Sequence, residues 1–218
     1  MTAFLDDLFP TESGPRREAI GERAFVLRGF ALPHAKELIA CVAELDRLAP
    51  FRQMATPGGF TMSVAMTNCG RLGWTTDRRG YRYSERDPVS GELWPAMPKL
   101  FLTLAHEAAA QAGFDAFAPN ACLVNRYRPG SRLSLHQDKN ELDYSAPIVS
   151  VSLGIPATFL FGGHERSDKA SRIPLHHGDV TVWGGQDRLR YHGVLPVKSS
   201  PHPLLGDERI NFTFRKAG

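Results

Sequence analysis

From residue 121 to the end, the chain breaks into short apolar or alternating runs with no helical period between them. ACLVNRY, RLSLHQD, IVSVSLG, ATFLFGG, DVTVWGG, LRYHGVL and ERINFTFR each have strand length and strand residues, separated by Gly, Pro, Asp and Asn. Seven strands in under a hundred residues, without intervening helices, describe an all-β sandwich or barrel. RINFTFR constrains most. Alternation along a strand puts Ile210, Phe212 and Phe214 on one face and Arg209, Asn211, Thr213 and Arg215 on the other. The first face is core, and the second holds two guanidiniums able to bracket a small anionic molecule.

The first half of the chain reads differently. AFVLRGF (24–30) is a strand, and PHAKELIACVAELDRLAP is a helix with Leu38, Val42, Leu45 and Ala49 at intervals of three and four, stopped by Pro50. A second helix is expected in PKLFLTLAHEAAAQAG, ended by Gly113. The fold class is therefore mainly β with flanking helices (α+β). At 218 residues the chain is long enough to bury a full core, and no stretch approaches a transmembrane length. Cys41, Cys69 and Cys122 are odd in number and lack paired short spacing, and the N-terminus puts acids where a signal peptide needs bases. A cytoplasmic protein is expected. The net charge of +3 says little, but Arg71, Arg78, Arg79, Arg82 and Arg86 cluster against only Asp77 and Glu85, with Trp74, Tyr81 and Tyr83 interleaved.

His136 and Asp138 stand two apart in RLSLHQD, so on a strand both side chains leave the same face and reach one ion. A second imidazole completes the facial arrangement associated with non-haem Fe(II). His192, in a strand-like run between DVTVWGG and the two-arginine strand, is the preferred partner. His176 and His177 compete, but HHGD reads as a turn; His34 and His106 fall in or beside helices, and His164 and His202 in loops. Alone, an H-x-D tripeptide is more often two solvated side chains. The ordered combination with a later histidine and a two-arginine strand is far more specific.

Five stretches, FRQMATPGGFTMSVAMTNCGRLGWTTDRRGYRYS, ACLVNRYRPGSRLSLHQDKN, PIVSVSLGIPATFLFGG, HGDVTVWGGQDRLRYHG and RINFTFR, together resemble the AlkB family of Fe(II)- and 2-oxoglutarate-dependent nucleic-acid dealkylases, close to its bacterial founding member. The resemblance implies a double-stranded β-helix (jelly-roll) core over 121–218, an N-terminal region of helices and a nucleotide-recognition lid over 21–120, and an extension over 1–20. It implies iron ligands His136, Asp138 and His192. Arg209, with Asn125, Tyr127 and Asn211, would hold the distal carboxylate of 2-oxoglutarate, and Arg215 the carboxylate nearer the metal. Substrate contacts would come from Thr56, Met66, Trp74 stacked on the damaged base, Tyr81 and Tyr83 on the nucleotide backbone, Lys139, Asn140 and Arg166. Ser134 and Trp183 read as supporting residues around the metal.

The implied reaction uses Fe(II), 2-oxoglutarate and O2 to hydroxylate an N-methyl carbon of bases such as 1-methyladenine and 3-methylcytosine. Formaldehyde, succinate and CO2 are released. The expected partner is alkylated single-stranded DNA, with RNA and duplex DNA open as further substrates; a monomer is the default. Where the founding member has an aspartate, this chain has Asn140, which both donates and accepts hydrogen bonds. Weaker preference for amino-bearing lesions, and better tolerance of oxo-bearing ones such as 1-methylguanine, is expected. The same chemistry on RNA, protein or a small molecule is the main alternative. A zinc-binding barrel leaves the two-arginine face without a use, and a non-catalytic nucleic-acid-binding module leaves the metal triad unexplained.

Overall fold

The computed structural model describes residues 16–218, so most of the expected N-terminal extension lies outside the described residues. β1 (Arg17–Ala19) and β2 (Ala24–Leu27) open the chain, followed by α1 (Ala35–Leu48), β3 (Arg52–Ala55), β4 (Thr61–Gly70), β5 (Gly73–Asp77), β6 (Gly80–Ser84) and α2 (Lys99–Gln111). The C-terminal half is β7 (Ala121–Tyr127), β8 (Leu133–His136), β9 (Ile148–Gly154), β10 (Ala157–Phe161), β11 (Ser171–Leu175), β12 (Val180–Trp183), β13 (His192–Val194) and β14 (Arg209–Arg215). Among the described residues no helix is long and apolar enough to cross a membrane.

Two antiparallel sheets face each other. The larger runs β1-β2-β12-β9-β14-β7-β4-β3, the smaller β11-β10-β13-β8, and β5 and β6 form a separate hairpin. β14 is central in the larger sheet. All seven of its residues pair with β7, and Arg209 to Phe214 also pair with β9. Its apolar face behaves as its alternation predicts: Ile210, Phe212 and Phe214 join the core that the helices cover. α1 contributes Leu38, Val42 and Leu45 to that core, and α2 contributes Phe101 and Leu104 with small alanines that let the helix lie close to the sheet. The Phe101 ring stacks 4.6 Å from Phe212 and meets Phe214 edge-on at 5.9 Å.

A second core fills the space between the sheets, where Trp183, Phe159, Phe161, Tyr127 and Met66 meet. It stops short of one end of the sandwich, and the polar face of β14 lines the cavity left there. The larger sheet takes strands from both sides of residue 121, so β3 and β4 extend it beyond β7, and the β5–β6 hairpin follows β4 directly. β11 contains Pro174, which an edge strand bonded only to β10 tolerates because its outward side needs no donor.

Gly154 ends β9 opposite Arg209, with φ +89°. A Cβ there would collide with the carbonyl oxygen of Glu208. Backbone strain and overlap act together, so Gly154→Ala is expected to destabilise the fold by about 1–3 kcal/mol. Urea denaturation followed by tryptophan fluorescence checks this; a midpoint equal to that of the parent would show that the turn relaxes.

Candidate metal centre and substrate cavity

β8 and β13 bring the two imidazoles together. His192 lies directly across from His136 in the ladder, and the ring centroids are 4.4 Å apart. The Nδ1 atom of His136 is 2.8 Å from the Ser134 carbonyl oxygen, and that of His192 is 3.0 Å from the Arg190 carbonyl oxygen. A carbonyl only accepts, so each Nδ1 carries the proton and each Nε2 presents a lone pair. Both Nε2 atoms lie 3.7 Å from the carboxylate of Asp138, one from each oxygen. Burial, and then the nearness of His192, lowers the His136 pKa, so that ring is neutral at pH 7.

Asp138 arrives by a different route from the one its spacing suggests. β8 ends at His136, and the chain leaves the sheet, pinned where Gln137 Nε2 donates to the Leu189 carbonyl at 2.6 Å. Asp138 therefore approaches from a loop. Burial works against its charge, but Arg215, donating from Nε at 2.8 Å and NH2 at 2.6 Å to the same oxygen, holds the carboxyl well below the usual range. The three donor atoms all fall within 4.8 Å of one another, the two-histidine, one-carboxylate set suited to a non-haem Fe(II) ion with open positions.

Arg209 sits six residues from Arg215, about 20 Å away along the strand by its rise per residue, so the two guanidiniums serve different ends of the cavity. Arg209 is fully buried. It donates from NH2 to Ser152 Oγ at 2.9 Å and lies 4.8 Å from the Tyr127 ring, while its Nε and NH1 have no partner. It makes no ion pair among the described residues. A buried, uncompensated cation is costly, and a carboxylate entering from the cavity is the complement it lacks. Asn125 donates to Asn211 Oδ1 at 3.1 Å, and Asn211 donates to Ser150 Oγ at 2.8 Å and to the Val151 carbonyl. These residues fit 2-oxoglutarate: a buried guanidinium for one end, a metal for the other.

The cavity has a volume of about 780 Å3. It brings together the metal donors, Asn125, Tyr127, Arg209, Asn211 and Arg215 with Thr56, Met66, Trp74, Tyr81, Lys139, Asn140 and Arg166, and also Ser134 and Trp183. Trp74 stacks on Tyr81 at 5.6 Å and 20° and donates from Nε1 to Asn140 Oδ1 at 3.2 Å, so the β5–β6 hairpin leans over the metal donors. Tyr83 is the exception. It turns beneath the hairpin and donates to Glu141 Oε1 at 2.6 Å.

Glu141 and Arg188 are functional residues that sequence reasoning missed. Both are buried; Arg188 donates to Glu141 Oε2 at 3.1 Å and to the Asp138 backbone carbonyl at 2.8 Å, and Arg215 Nε lies 3.5 Å from Glu141. Two carboxylates and two guanidiniums thus tie the hairpin to the loop that carries Asp138. Nothing in the local pattern around Glu141 announces this. Ser150 and Ser152, also missed, were findable as polar residues at alternate positions of IVSVSLG.

The model of the 2OG-Fe(II) oxygenase superfamily matches residues 23–215. An alpha-ketoglutarate-dependent dioxygenase AlkB from Salmonella typhimurium is 56% identical over 97% of this chain and 97% of its own length. The chain belongs to the AlkB family of 2OG-Fe(II) oxygenases. It is an Fe(II)- and 2-oxoglutarate-dependent dioxygenase, as the metal donors and the uncompensated Arg209 fit. A tRNA demethylase of Schizosaccharomyces pombe is 30% identical over 67% of this chain and 53% of its own length. The solved structure of OsALKBH1 superposes with a TM-score of 0.81 at 29% identity, covering 92% of this chain and 100% of that one. The double-stranded β-helix expected for an AlkB-type oxygenase is the two-sheet sandwich seen here.

A hydrogen bond to a charged group contributes about 1.5–3 kcal/mol, or about 10- to 150-fold in a local opening equilibrium. Tyr83→Phe is therefore expected to speed hydrogen exchange of the β5–β6 amides by that factor, leaving β7 and β14 unchanged. Unaltered exchange in the hairpin would show that Glu141 does not hold it down.

Proposed function

We propose that this dioxygenase removes N-linked alkyl groups from nucleic-acid bases, with single-stranded DNA as the main substrate and RNA as a second. The observation that carries this reading is the roof of the cavity: a stacked Trp74–Tyr81 pair above the metal donors, with Arg132, Lys139 and Arg166 among the lining residues. An aromatic platform beside cations is the general means of holding an unstacked base and its backbone. The name of the Salmonella relative supports the cofactor chemistry, and that of the fission-yeast relative supports a nucleic-acid substrate.

In this reading His136, Asp138 and His192 hold the iron, and Arg209 anchors the far carboxylate of 2-oxoglutarate with Asn125, Tyr127 and Asn211 around it. With both bound, the centre supplies the oxidation of an N-alkyl C–H bond by dioxygen. Arg215 keeps Asp138 ionised and aimed, and stands where the nearer carboxylate of the cosubstrate would arrive. Trp74 covers the base from above. Met66 and Thr56 border it, and Lys139, Arg166 and Tyr81 meet the nucleotide backbone. Tyr83 acts indirectly, by fixing the hairpin through Glu141. The enzyme works as a cytoplasmic monomer, a reading consistent with three unpaired cysteines.

Asn140 faces the same cavity, and its Oδ1 is taken by Trp74, which leaves the amide N–H groups to donate toward a base edge. An aspartate there would only accept.

The decisive assay supplies purified protein with Fe(II), 2-oxoglutarate and oxygen, and measures formaldehyde and succinate from single-stranded DNA and RNA carrying 1-methyladenine. Lesion-dependent release of both products, abolished in His136→Ala, is the expected result. Succinate without lesion-dependent formaldehyde would overturn the substrate class. In the same assay Asn140→Asp is expected to shift the ratio of kcat/KM for 1-methyladenine over 1-methylguanine upward by about tenfold, one hydrogen bond's worth. An unchanged ratio would remove Asn140 from specificity.

A further inference from the structure

β7 uses both of its faces. Asn125 and Tyr127 point into the cavity, whereas Arg126 and Arg128 point to the opposite side, where a second cleft of about 360 Å3 opens between β3, β4 and the turn after β7. Its shape follows from residue size. Gln53, Ala65 and Arg126 lie side by side across three paired strands, so the small Ala65 and Ser63 make a floor between longer walls. α1 ends at Leu48 beside the cleft, and its Asp46 reaches the rim through Arg126.

Three guanidiniums line this cleft, Arg52, Arg126 and Arg128. Arg52 is neutralised by a two-point pair with buried Asp87. The other two are not used up. Arg126 lies 4.3 Å over the Phe51 ring and gives a single N–H to Asp46 at 3.1 Å. Arg128 gives only Nε to Glu208 at 2.9 Å, and its side chain is 71% exposed, so this pair is weak and readily exchanged. Stiffened against an aromatic ring on one side and free at the other, the two guanidiniums line one concavity with Ser63 and Ser131, whose hydroxyls are already spent on the Arg132 and Ser63 carbonyls. That is a geometry for an oxyanion.

Ser63 also lines the substrate cavity, so cleft and cavity meet at the strap where Ser63 and Arg132 bond to each other at 3.1 and 3.0 Å. A strand whose base occupies the cavity and whose backbone passes this strap enters the cleft. We propose that the Arg126–Arg128 cleft is a second nucleic-acid subsite that takes a backbone phosphate of the substrate strand, away from the modified base. This rests on the nucleic-acid reading above. It predicts that affinity depends on strand length as well as on the lesion.

The test is fluorescence anisotropy with a lesion-bearing trinucleotide and a long single-stranded oligonucleotide, over a series of salt concentrations, for the parent protein, Arg126→Gln and Arg128→Gln. Each variant is expected to bind the long strand several-fold more weakly, with the slope of log K against log salt shallower by about 0.7, one phosphate contact on single-stranded nucleic acid. Trinucleotide affinity stays at the parent's value. Because Arg128 is exposed, Arg128→Gln folds whatever becomes of Arg126→Gln. Parent-like affinity and slope for the long strand in Arg128→Gln would overturn the subsite while leaving the nucleic-acid reading standing. Failure of the parent protein to bind either strand would overturn both. Inorganic phosphate at matched ionic strength distinguishes a free anion: phosphate that binds the parent by calorimetry but does not compete with the long strand would overturn the strand assignment.

Discussion

The hydrogen-bonded ladder of β14 is the constraint on which the rest depends. Pairing on both sides fixes the strand's register, and a strand held in register divides its side chains without exception. Three aromatic and aliphatic residues then anchor the helices, and four polar ones face the opposite way, toward the cavity beside the second core. Arg209 and Arg215 are thereby placed at the two ends of a single cavity. Moving the strand by one residue would bury its arginines among the phenylalanines.

Around that strand, buried charge does the work of orientation. Arg215, Arg188, Asp138 and Glu141 form a compact set with no net charge, in which each carboxylate is met by a guanidinium. Buried ion pairs of this kind add little to net stability, because desolvation offsets their attraction. Their contribution is direction: Asp138 has one low-energy orientation, and the hairpin above it is tied to the same group through Tyr83. Arg209 is the counter-example, a buried cation that no carboxylate among the described residues meets.

Much of this was legible in the residues themselves. The two faces of 209–215, the helix spanning Leu38 to Leu45, and the choice of His192 over His176 and His177 all follow from periodicity and turn residues, which are local properties. Asp138 shows the limit: its spacing from His136 suggested a shared strand, whereas the chain leaves the sheet and returns it by a loop. Glu141 and Arg188 lie further beyond reach, because each has meaning only through the other across 47 positions of sequence. Tyr83 looked like its neighbour Tyr81, and only packing shows that one faces the cavity and the other the protein. The strands of the β5–β6 hairpin were hidden by their arginines and glycines, a composition that shows no strand alternation.

The two histidines face each other across β8 and β13, short strands whose pairing is confined to a few residues. An ion held by both rings is therefore also a clasp between those strands. Neither half of the clasp exists in the unfolded chain, so metal availability and folding are linked by mass action. Iron depletion would act on this protein twice, silencing the chemistry at once and shortening the lifetime of the molecules left without it.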